Sequence, residues 1–547
     1  MNPSLKKTFS GVSLGCSILV AQSALATAGD QPMNVLMIAI DDLKAIGTSF
    51  QDEKNDFLAM VYPDPDLRRE VAQRMTPNLQ RLADQGVNFM SAYTPSPACN
   101  PSRAALMTGI RPHVQGMGNN ANSAFFRDWE FQGERPLEDA FTLPELLKNN
   151  GWYTASTGKI FHRETFDSQD GNRSWTHRAN VGGSPEGDIV LSRRSPQNLQ
   201  TEARLVRWGR RGYDHETYET KNDYRTADFI AQLIENGEGT TEGVTYKIPE
   251  DSPFFIALGI FRPHLPFYST KDLLDLFPVE EMTVTRELLE YFIRDGADLS
   301  QPGLGYSGIR IGEDGEPELG RGRFPGILRI GMDVDPDDGD LKAWGDMLSH
   351  YFAVTALADR AVGRVLDALE ASEHSDNTMV ILWSDHGFHL GGRMHVAKFT
   401  LWNEGSRVPF IIKDPRFPQS GGMRSHTPVS LMDIYPTVAA VAGVELPDPR
   451  ITGTDLTPLL MDPTLGREQP ALVTYNHTGD TFDHMLQKGR YKLIYMPRSE
   501  RTYLDLYDVA KDPREYRNLA VLPEYDEIRA MMIELLYETL ESRYGTH

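Results

Sequence analysis

The chain has 547 residues, with 55 Lys and Arg against 77 Asp and Glu and a formal net charge of −22. This length favours one large core and a smaller additional unit. A surface this acidic argues against nucleic acid or an anionic membrane as a partner, so any site for an anion must be a local island of positive charge.

The first 28 residues have the pattern of a secretory signal peptide. Two lysines precede an apolar run through Val20, and small residues at Ala26 and Ala28 offer a cleavage site. Because the run is too short to span a membrane, we expect export to the periplasm or the medium, with 1–28 removed. Cleavage takes Cys16 away and leaves Cys99 as the one cysteine of the mature chain. A free thiol in an oxidising compartment is a liability unless it is chemically converted.

Two continuous apolar runs predict buried central strands that end in carboxylates. Asp41 and Asp42 follow the run 34–40. Asp385 follows the run 378–383. The carboxyl ends of parallel strands meet at the crevice where open α/β sheets bind ligands, so we expect these side chains to lie together. Carboxylate oxygens favour a hard cation, Ca²⁺ before Mg²⁺.

Helical patterns separate these strands and a third apolar run at 254–260. They lie at 77–85, 143–149 and 350–369. The alternation predicts an α/β fold with a large, mostly parallel central sheet and helices on both faces. After residue 415 the pattern changes to a helix-like stretch at 431–442 and short strand-like pieces. We therefore predict a catalytic domain over 29–415 and a smaller C-terminal α+β subdomain over 416–547.

Two segments, 184–224 and 296–340, lack strong periodicity and are predicted to be long loops beside the site. The first carries a cluster of arginines at Arg193, Arg194, Arg204, Arg207, Arg210 and Arg211. These side chains could receive anionic groups of a substrate by bidentate pairing. They could equally pair with local acids such as Glu202, Asp214 and Glu216, and both interpretations stay open.

The stretch from Cys99 to Gly109, Cys-Asn-Pro-Ser-Arg-Ala-Ala-Leu-Met-Thr-Gly, resembles the signature of the type I sulfatases. In that family a maturation enzyme oxidises the cysteine to formylglycine, whose hydrate attacks sulfate esters. The resemblance implies the same conversion of Cys99 and places Arg103 near the nucleophile. A helix is predicted to begin near Pro101, which would set residue 99 at a helix N-terminus that favours negative charge.

Three further elements resemble parts of the same family. Lys159 and His162 lie in a Gly-Lys-Ile-Phe-His stretch, in which the family's lysine grips sulfate and its histidine assists the nucleophile. His264 lies in Arg-Pro-His-Leu-Pro-Phe, whose histidine faces the leaving group in the family. Lys398 resembles the later lysine that contacts both sulfate and leaving oxygen. His264 is thus the better candidate for the general acid and His162 the better partner of the hydrate, although the two assignments could be exchanged.

The resemblance also implies a calcium site. Its expected ligands are Asp41, Asp42, Asp385 and His386, together with the modified residue 99. In the family the position of His386 contributes to the metal site or contacts the sulfate, so this residue is also a candidate for substrate binding.

The family elements run in order from residue 34 to about residue 520 and look most like the iduronate-2-sulfatase branch. The resemblance therefore implies hydrolysis of a sulfate ester on a sulfated carbohydrate, with the 2-O-sulfate of a uronic acid preferred. Two departures stand near the elements: Gly392 and Arg393 replace a common Glu and basic residue, and an extra stretch covers 52–74.

Four alternatives compete with this interpretation. The fold could serve a phosphoester or phosphonate hydrolase of the alkaline phosphatase superfamily, or a choline or aryl sulfatase. A non-catalytic glycan-binding homologue is disfavoured because the nucleophile, the lysines and the histidines are all present. An ordinary cysteine hydrolase is disfavoured because no papain-like context surrounds Cys99.

Overall fold

The computed structural model describes residues 33–50, 57–120, 127, 130, 133–162, 169–181, 211–295, 298–300, 302, 309–311, 317–319, 338–477 and 481–541. The predicted signal peptide 1–28 lies outside these residues. Among the helices of the described ranges, none is long and apolar enough to cross a bilayer.

An eight-stranded sheet forms the centre of the molecule. From one edge to the other its strands are Arg424–Ser425, Val87–Phe89, Phe410–Lys413, Thr378–Ser384, Asn34–Ile40, Phe254–Ile260, Tyr153–Gly158 and His177–Ala179. All pairings are parallel except the two made by Phe410–Lys413. The sheet is therefore mixed and mostly parallel, and the prediction of an α/β fold is confirmed. The three predicted strands are neighbours and parallel, so the polar residues that follow them meet at the carboxyl ends of the strands.

Successive side chains of the middle strand, Asn34–Ile40, point to opposite faces of the sheet. Val35, Met37 and Ala39 belong to one buried cluster, and Leu36, Ile38 and Ile40 belong to the other. Helices cover the first face at Cys99–Thr108, Leu143–Asn149 and Ile434–Ala442. Helices cover the second face at Pro77–Gln85, Asn222–Asn236 and Asp338–Ala371. Burial on both faces explains why the strand is apolar throughout.

The predicted helices at 77–85 and 143–149 have these bounds because their first turns are capped. Thr142 and Glu145 form a capping box at the start of Leu143–Asn149. At the start of Pro77–Gln85 the carboxylate of Asp359 accepts the backbone N–H of Leu79 at 2.9 Å. The predicted helix at 350–369 is part of a longer one, Asp338–Ala371.

The extra stretch at 52–74 contributes two helices within its described part, Phe57–Val61 and Pro65–Met75. Their apolar side chains pack in a third cluster with Trp344, Tyr351 and Phe352 of the long helix. The remaining helices, including short 3₁₀ turns, are Thr48–Phe50, Pro112–Gln115, Gln169–Ser174, Tyr218–Thr220, Lys271–Leu274, Val279–Glu281, Arg286–Asp295, Gly392–Met394, Asn403–Ser406, Pro418–Ser420, Leu431–Asp433, Thr457–Met461, Leu519–Val521 and Pro523–Tyr525. Short strands outside the main sheet are Ala92–Tyr93, Arg211–Asp214, Glu238–Thr241, Val244–Lys247, Phe267–Thr270, Ile309–Ile311, Pro317–Leu319, His389–Leu390, Val396–Ala397 and Val429–Ser430.

A four-stranded antiparallel sheet forms the C-terminal part. Its strands are Ala471–Tyr475, Asp483–Lys488, Tyr491–Pro497 and Thr502–Asp508. One face packs on the final helix Asp526–Glu541, and the other packs on Tyr93, Ala98, Leu401 and Trp402. The chain beyond residue 415 also supplies the edge strand Arg424–Ser425 of the main sheet, and the domain division at that residue stays a prediction.

Candidate active site

The predicted carboxylates meet at the carboxyl ends of two adjacent strands. Ile40 is in register with Ser384, so Asp41 and Asp385 follow at the same level of the sheet. Asp42 donates its backbone N–H to Asp385 Oδ1 at 3.2 Å. All three acidic residues are fully buried.

The turn after the middle strand is strained, because Asp42 has a φ of +62°. Such a conformation costs a non-glycine residue about 1–3 kcal/mol and persists only where the surroundings enforce it. Here the Tyr351 hydroxyl donates to the Asp42 carbonyl at 2.9 Å, and the Leu43 N–H donates to Ser384 Oγ at 3.0 Å. These bonds hold the Asp42 carboxylate in the site.

Cys99 is the first residue of the helix Cys99–Thr108, two residues earlier than the sequence predicted. Its side chain is buried. Thr94 and Ser102 both donate their hydroxyls to the Asp385 carbonyl at 2.6 Å, which ties the start of this helix to the carboxylate turn. The residue predicted to be the nucleophile therefore stands at a helix N-terminus beside the predicted metal ligands.

Arg103 is fully buried and contacts the carboxylates of Asp41 and Asp385. Its Nε donates to Asp385 Oδ2 at 2.7 Å, and a terminal nitrogen donates to Asp41 Oδ1 at 3.2 Å. The other terminal nitrogen donates to the carbonyls of Lys159 and Ile160 at 2.6 and 3.0 Å. The structure thus shows the guanidinium bonded to the two carboxylates, and a role of Arg103 at the nucleophile stays a prediction.

Lys159 enters the site through a close approach of two backbones. Gly158 has a φ of +72°, and a Cβ there would lie 1.9 Å from the carbonyl oxygen of Gly259. Only glycine fits this position, which lets Lys159 leave the strand and pair with the Asp41 carboxylate.

Lys398 completes an island of positive charge. Its Nζ lies 2.6 Å from Asp42 Oδ1 and 2.9 Å from Cys99 Sγ. Burial by itself would raise the pKa of the Cys99 thiol, but Lys159 and Lys398 hold that pKa well below its ordinary value. The site therefore favours a negative charge at residue 99. It is a local cluster of positive charge, which any anion site in so acidic a chain needs.

Three histidines surround the thiol. His386 Nε2 lies 3.2 Å from both Cys99 Sγ and Asp42 Oδ1, while its Nδ1 lies 2.9 Å from the Gly387 carbonyl. Burial opposes the charge on this ring, yet Asp385 raises its pKa to about 9. Burial lowers the pKa of His162, which hydrogen-bonds Cys99. His264 Nδ1 contacts the Leu265 carbonyl at 2.7 Å, and a ring nitrogen of His264 lies within 4.8 Å of ligand atoms of Asp41, Asp42 and Cys99.

The donor set fits a hard cation. Ligand atoms of Asp41, Cys99, Asp385 and His386 lie within 4.8 Å of one another, and a second group joins Asp42 and His264 to Asp41 and Cys99. Asp42 Oδ2 is buried and accepts no hydrogen bond from the described residues, a costly state that a bound cation would relieve. The three carboxylates supply oxygen donors, which suit calcium or magnesium, and conversion of Cys99 would replace its sulfur with an oxygen donor.

Of the arginine cluster, the structure describes Arg211, and the other five lie outside the described residues. Arg211 pairs with Asp346, while Asp214 and Glu216 pair with Lys221 at 2.5 and 3.0 Å. At one of the departures from the family pattern, the Arg393 guanidinium lies over the Trp402 ring, 4.7 Å from its centroid.

The sequence interpretation missed the residues that support the backbone turns of the site. Thr94, Ser102, Ser384 and Tyr351 do so with hydroxyl groups. Ser102 lies inside the motif that begins at Cys99, and Ser384 directly precedes Asp385, whereas no local signal marked Thr94 or Tyr351.

The family described as Sulfatase matches residues 34–444, and the family described as N-sulphoglucosamine sulphohydrolase, C-terminal, matches residues 391–542. The first match spans more than half of the chain, which therefore belongs to the type I sulfatases of the alkaline phosphatase superfamily and is a sulfuric ester hydrolase.

Two curated relatives agree with this assignment, and a solved structure shares the fold. A sulfatase of Formosa agariphila is 28% identical over 500 residues, which cover 90% of this chain and 83% of the relative. The iduronate 2-sulfatase of Mus musculus is 26% identical over 462 residues, which cover 79% and 72%. The phosphonate monoester hydrolase of Agrobacterium radiobacter shares the fold with a TM-score of 0.66 at 19% identity, covering 93% of this chain and 96% of that chain.

Proposed function

We propose that this protein removes sulfate from a sulfated carbohydrate, with a formylglycine made from Cys99 as nucleophile. The observation that carries the proposal is the position of Cys99 Sγ, 2.9 Å from Lys398 Nζ at the start of a helix and beside three buried carboxylates. Lys398 Nζ also pairs with Asp42 Oδ1 at 2.6 Å, so the thiol lies inside a buried cluster of charged groups, whereas an inert cysteine is typically packed among apolar side chains. The hydrate of formylglycine would supply one hydroxyl to attack sulfur and a second whose deprotonation expels sulfate.

Each nearby side chain has a role in this reaction. Lys159 and Lys398 are cations within reach of an anion at residue 99, and they would neutralise the sulfuryl oxygens as charge develops. His162, bonded to Cys99, would accept the proton of the attacking hydroxyl. His264 would donate a proton to the leaving sugar oxygen. Arg103 would keep Asp41 and Asp385 in place.

We propose Ca²⁺ as the metal. Asp41, Asp42, Asp385 and His386 would hold it with an oxygen of residue 99. A bound divalent cation would supply charge stabilisation for the ester oxygens. His386 would turn its Nε2 to the metal or the sulfate, because its Nδ1 is occupied by the Gly387 carbonyl.

We infer that the preferred ester is the 2-O-sulfate of a uronic acid in a polysaccharide or its oligosaccharides. Two observations support this choice: the quoted motifs look most like the iduronate-2-sulfatase branch, and an iduronate 2-sulfatase is among the relatives. We also infer export to the periplasm or the medium through the signal pattern at 1–28, with a formylglycine-generating enzyme as a transient partner.

The first test joins the chemical state of residue 99 to activity. Trypsin releases the peptide 82–103, whose mass should be lower by about 18 Da after conversion of the thiol to an aldehyde. Protein produced with and without a maturation enzyme should release sulfate in proportion to the converted fraction. A Cys99→Ala variant serves as the inactive control. Full activity with an unmodified thiol would contradict the proposed nucleophile.

A second candidate function is hydrolysis of phosphonate or phosphate esters, because a phosphonate monoester hydrolase shares the fold. The ratio of kcat/KM for sulfate and phosphonate esters of the same alcohol distinguishes the two. A panel containing a 2-O-sulfated uronide, choline sulfate and nitrophenyl sulfate then tests the substrate class. We expect the uronide to have the highest kcat/KM.

A further inference from the structure

The segment that carries Lys398 is held in a strained conformation. Ala397 and Phe399, on either side of the lysine, have φ values of +88° and +79°. Each such conformation costs a non-glycine residue about 1–3 kcal/mol unless the surroundings enforce it. Lys398 itself reaches Cys99 Sγ from this segment, so whatever holds the strained peptide also sets the position of its ammonium group.

The C-terminal part of the chain holds Phe399 at two points. His477 Nε2 lies 2.7 Å from the Phe399 carbonyl oxygen. Tyr475 stacks on the Phe399 ring at a centroid distance of 5.9 Å and meets the His477 ring edge-on at 4.2 Å. From the other side the Phe399 N–H donates to the Pro97 carbonyl at 3.1 Å. Phe399 is therefore fixed between the segment before Cys99 and the C-terminal part of the chain.

The ring of His477 is oriented by an acidic partner. Its Nδ1 lies 3.0 Å from Asp483 Oδ2, and Arg498 donates to the same oxygen at 2.9 Å. The side chains of His477 and Asp483 are 3% and 1% exposed. Both ring nitrogens face acceptors, so each contact requires a proton on the nitrogen that makes it. Burial lowers the pKa of His477, and Asp483 opposes that shift.

We propose that His477 and Asp483 are positioning residues that orient Lys398 on the reacting sulfate ester from the C-terminal sheet. This proposal rests on the proposed function, because it assigns Lys398 to the sulfate. His477 acts through its bond to the Phe399 carbonyl, and Asp483 acts through His477. The C-terminal part of the chain thereby contributes to catalysis, although the residues assigned to the ester lie outside it.

The expected effect follows from the geometry. Loss of the 2.7 Å bond frees the Phe399 carbonyl and lets the strained peptide relax, which moves Lys398 Nζ away from residue 99. A displacement of about 1 Å in a catalytic group can cost about 100-fold in rate. Because Lys398 is assigned to charge that develops in the transition state, we expect kcat to fall by about 10- to 100-fold and KM to change little.

Two substitutions at residue 477 separate positioning from general packing. His477→Gln can place its amide N–H near the position of Nε2 and should retain most of the activity. His477→Asn can reach only toward Asp483, so it should lose about 10- to 100-fold in kcat. The matched control is His484→Asn. His484 is a buried histidine of the C-terminal antiparallel sheet, and its Nδ1 contacts Thr474 Oγ1 at 3.0 Å.

The assay is sulfate release by matured full-length protein, with kcat, KM and melting temperature measured for each variant. The proposal is supported if His477→Asn loses kcat, His477→Gln restores it, and His484→Asn melts at a similar temperature with near wild-type kcat. Equal losses in His477→Asn and His484→Asn, or the wild-type kcat in His477→Asn, would overturn it. If His477→Asn does not fold, Asp483→Asn is compared with His477→Gln, and equal kcat values in these two overturn the proposal.

The proposed function is tested separately from the positioning role of His477. If the wild-type protein releases no sulfate, or if Lys398→Met is as active as the wild type, the assignment of Lys398 is wrong whatever residue 477 does.

Discussion

Replacing Arg103 removes the cation on which the buried carboxylates of the site depend. The guanidinium is fully buried and donates to Asp385, Asp41 and two backbone carbonyls at 2.6 to 3.2 Å. In Arg103→Met the carboxylates keep their burial but lose this partner. In Arg103→Lys one ammonium group replaces the planar guanidinium and can donate to only some of its four acceptor groups.

The magnitude follows from these contacts. Removing one partner of a buried ion pair costs about 3–5 kcal/mol, since the other charge stays buried. Lys159 still pairs with Asp41, so we place Arg103→Met within this range and not above it. With an m value of about 3 kcal/mol/M, a loss of this size lowers the urea midpoint by about 1–1.7 M. Arg103→Lys should fall between Arg103→Met and the wild type.

Urea unfolding of protein with unconverted Cys99 measures this effect without any dependence on maturation. The matched control is Arg69→Met, because Arg69 forms an exposed pair with Asp66 at 2.8 Å and should change stability by about 0–1 kcal/mol. Calcium should reduce the difference between Arg103→Met and the wild type, because it supplies positive charge to the same carboxylates. A wild-type midpoint for Arg103→Met in a chelating buffer would refute this account of the site.

Three further predictions concern the metal, the leaving group and the backbone. Calcium at about 100 times its dissociation constant should stabilise the protein by about 2.7 kcal/mol, seen as a higher melting temperature that Asp42→Asn abolishes. His264→Gln should lower kcat by about 100-fold or more on a sugar sulfate but much less on nitrophenyl sulfate, whose leaving oxygen needs no proton; equal losses would remove His264 as the general acid. Gly158→Ala should destabilise the protein and abolish sulfate release, because its Cβ would overlap the Gly259 carbonyl, whereas Gly151→Ala, with open space at its Cβ, should keep activity.

The local pattern of the chain was enough for the central strands and for most of the site. The apolar runs at 34–40, 254–260 and 378–383 became adjacent strands, because a strand buried on both faces must be apolar at every position. Asp41 and Asp385 follow such strands directly, so their meeting at one edge was a consequence of parallel pairing. Cys99 was placed at a helix start by the motif that surrounds it.

Contacts between distant parts of the chain decided the rest. The left-handed backbone of Asp42 depends on Tyr351, 309 residues away, and the orientation of the Lys398 segment depends on His477, 78 residues away from Phe399. The motif predicts that Arg103 lies near the nucleophile. In the structure its buried guanidinium pairs with Asp41 and Asp385, which follow two different strands. Local composition sets which residues are buried and where strands end. A strained φ value or the partner of a buried charge is instead enforced by the packed surroundings, which exist only after the chain has folded.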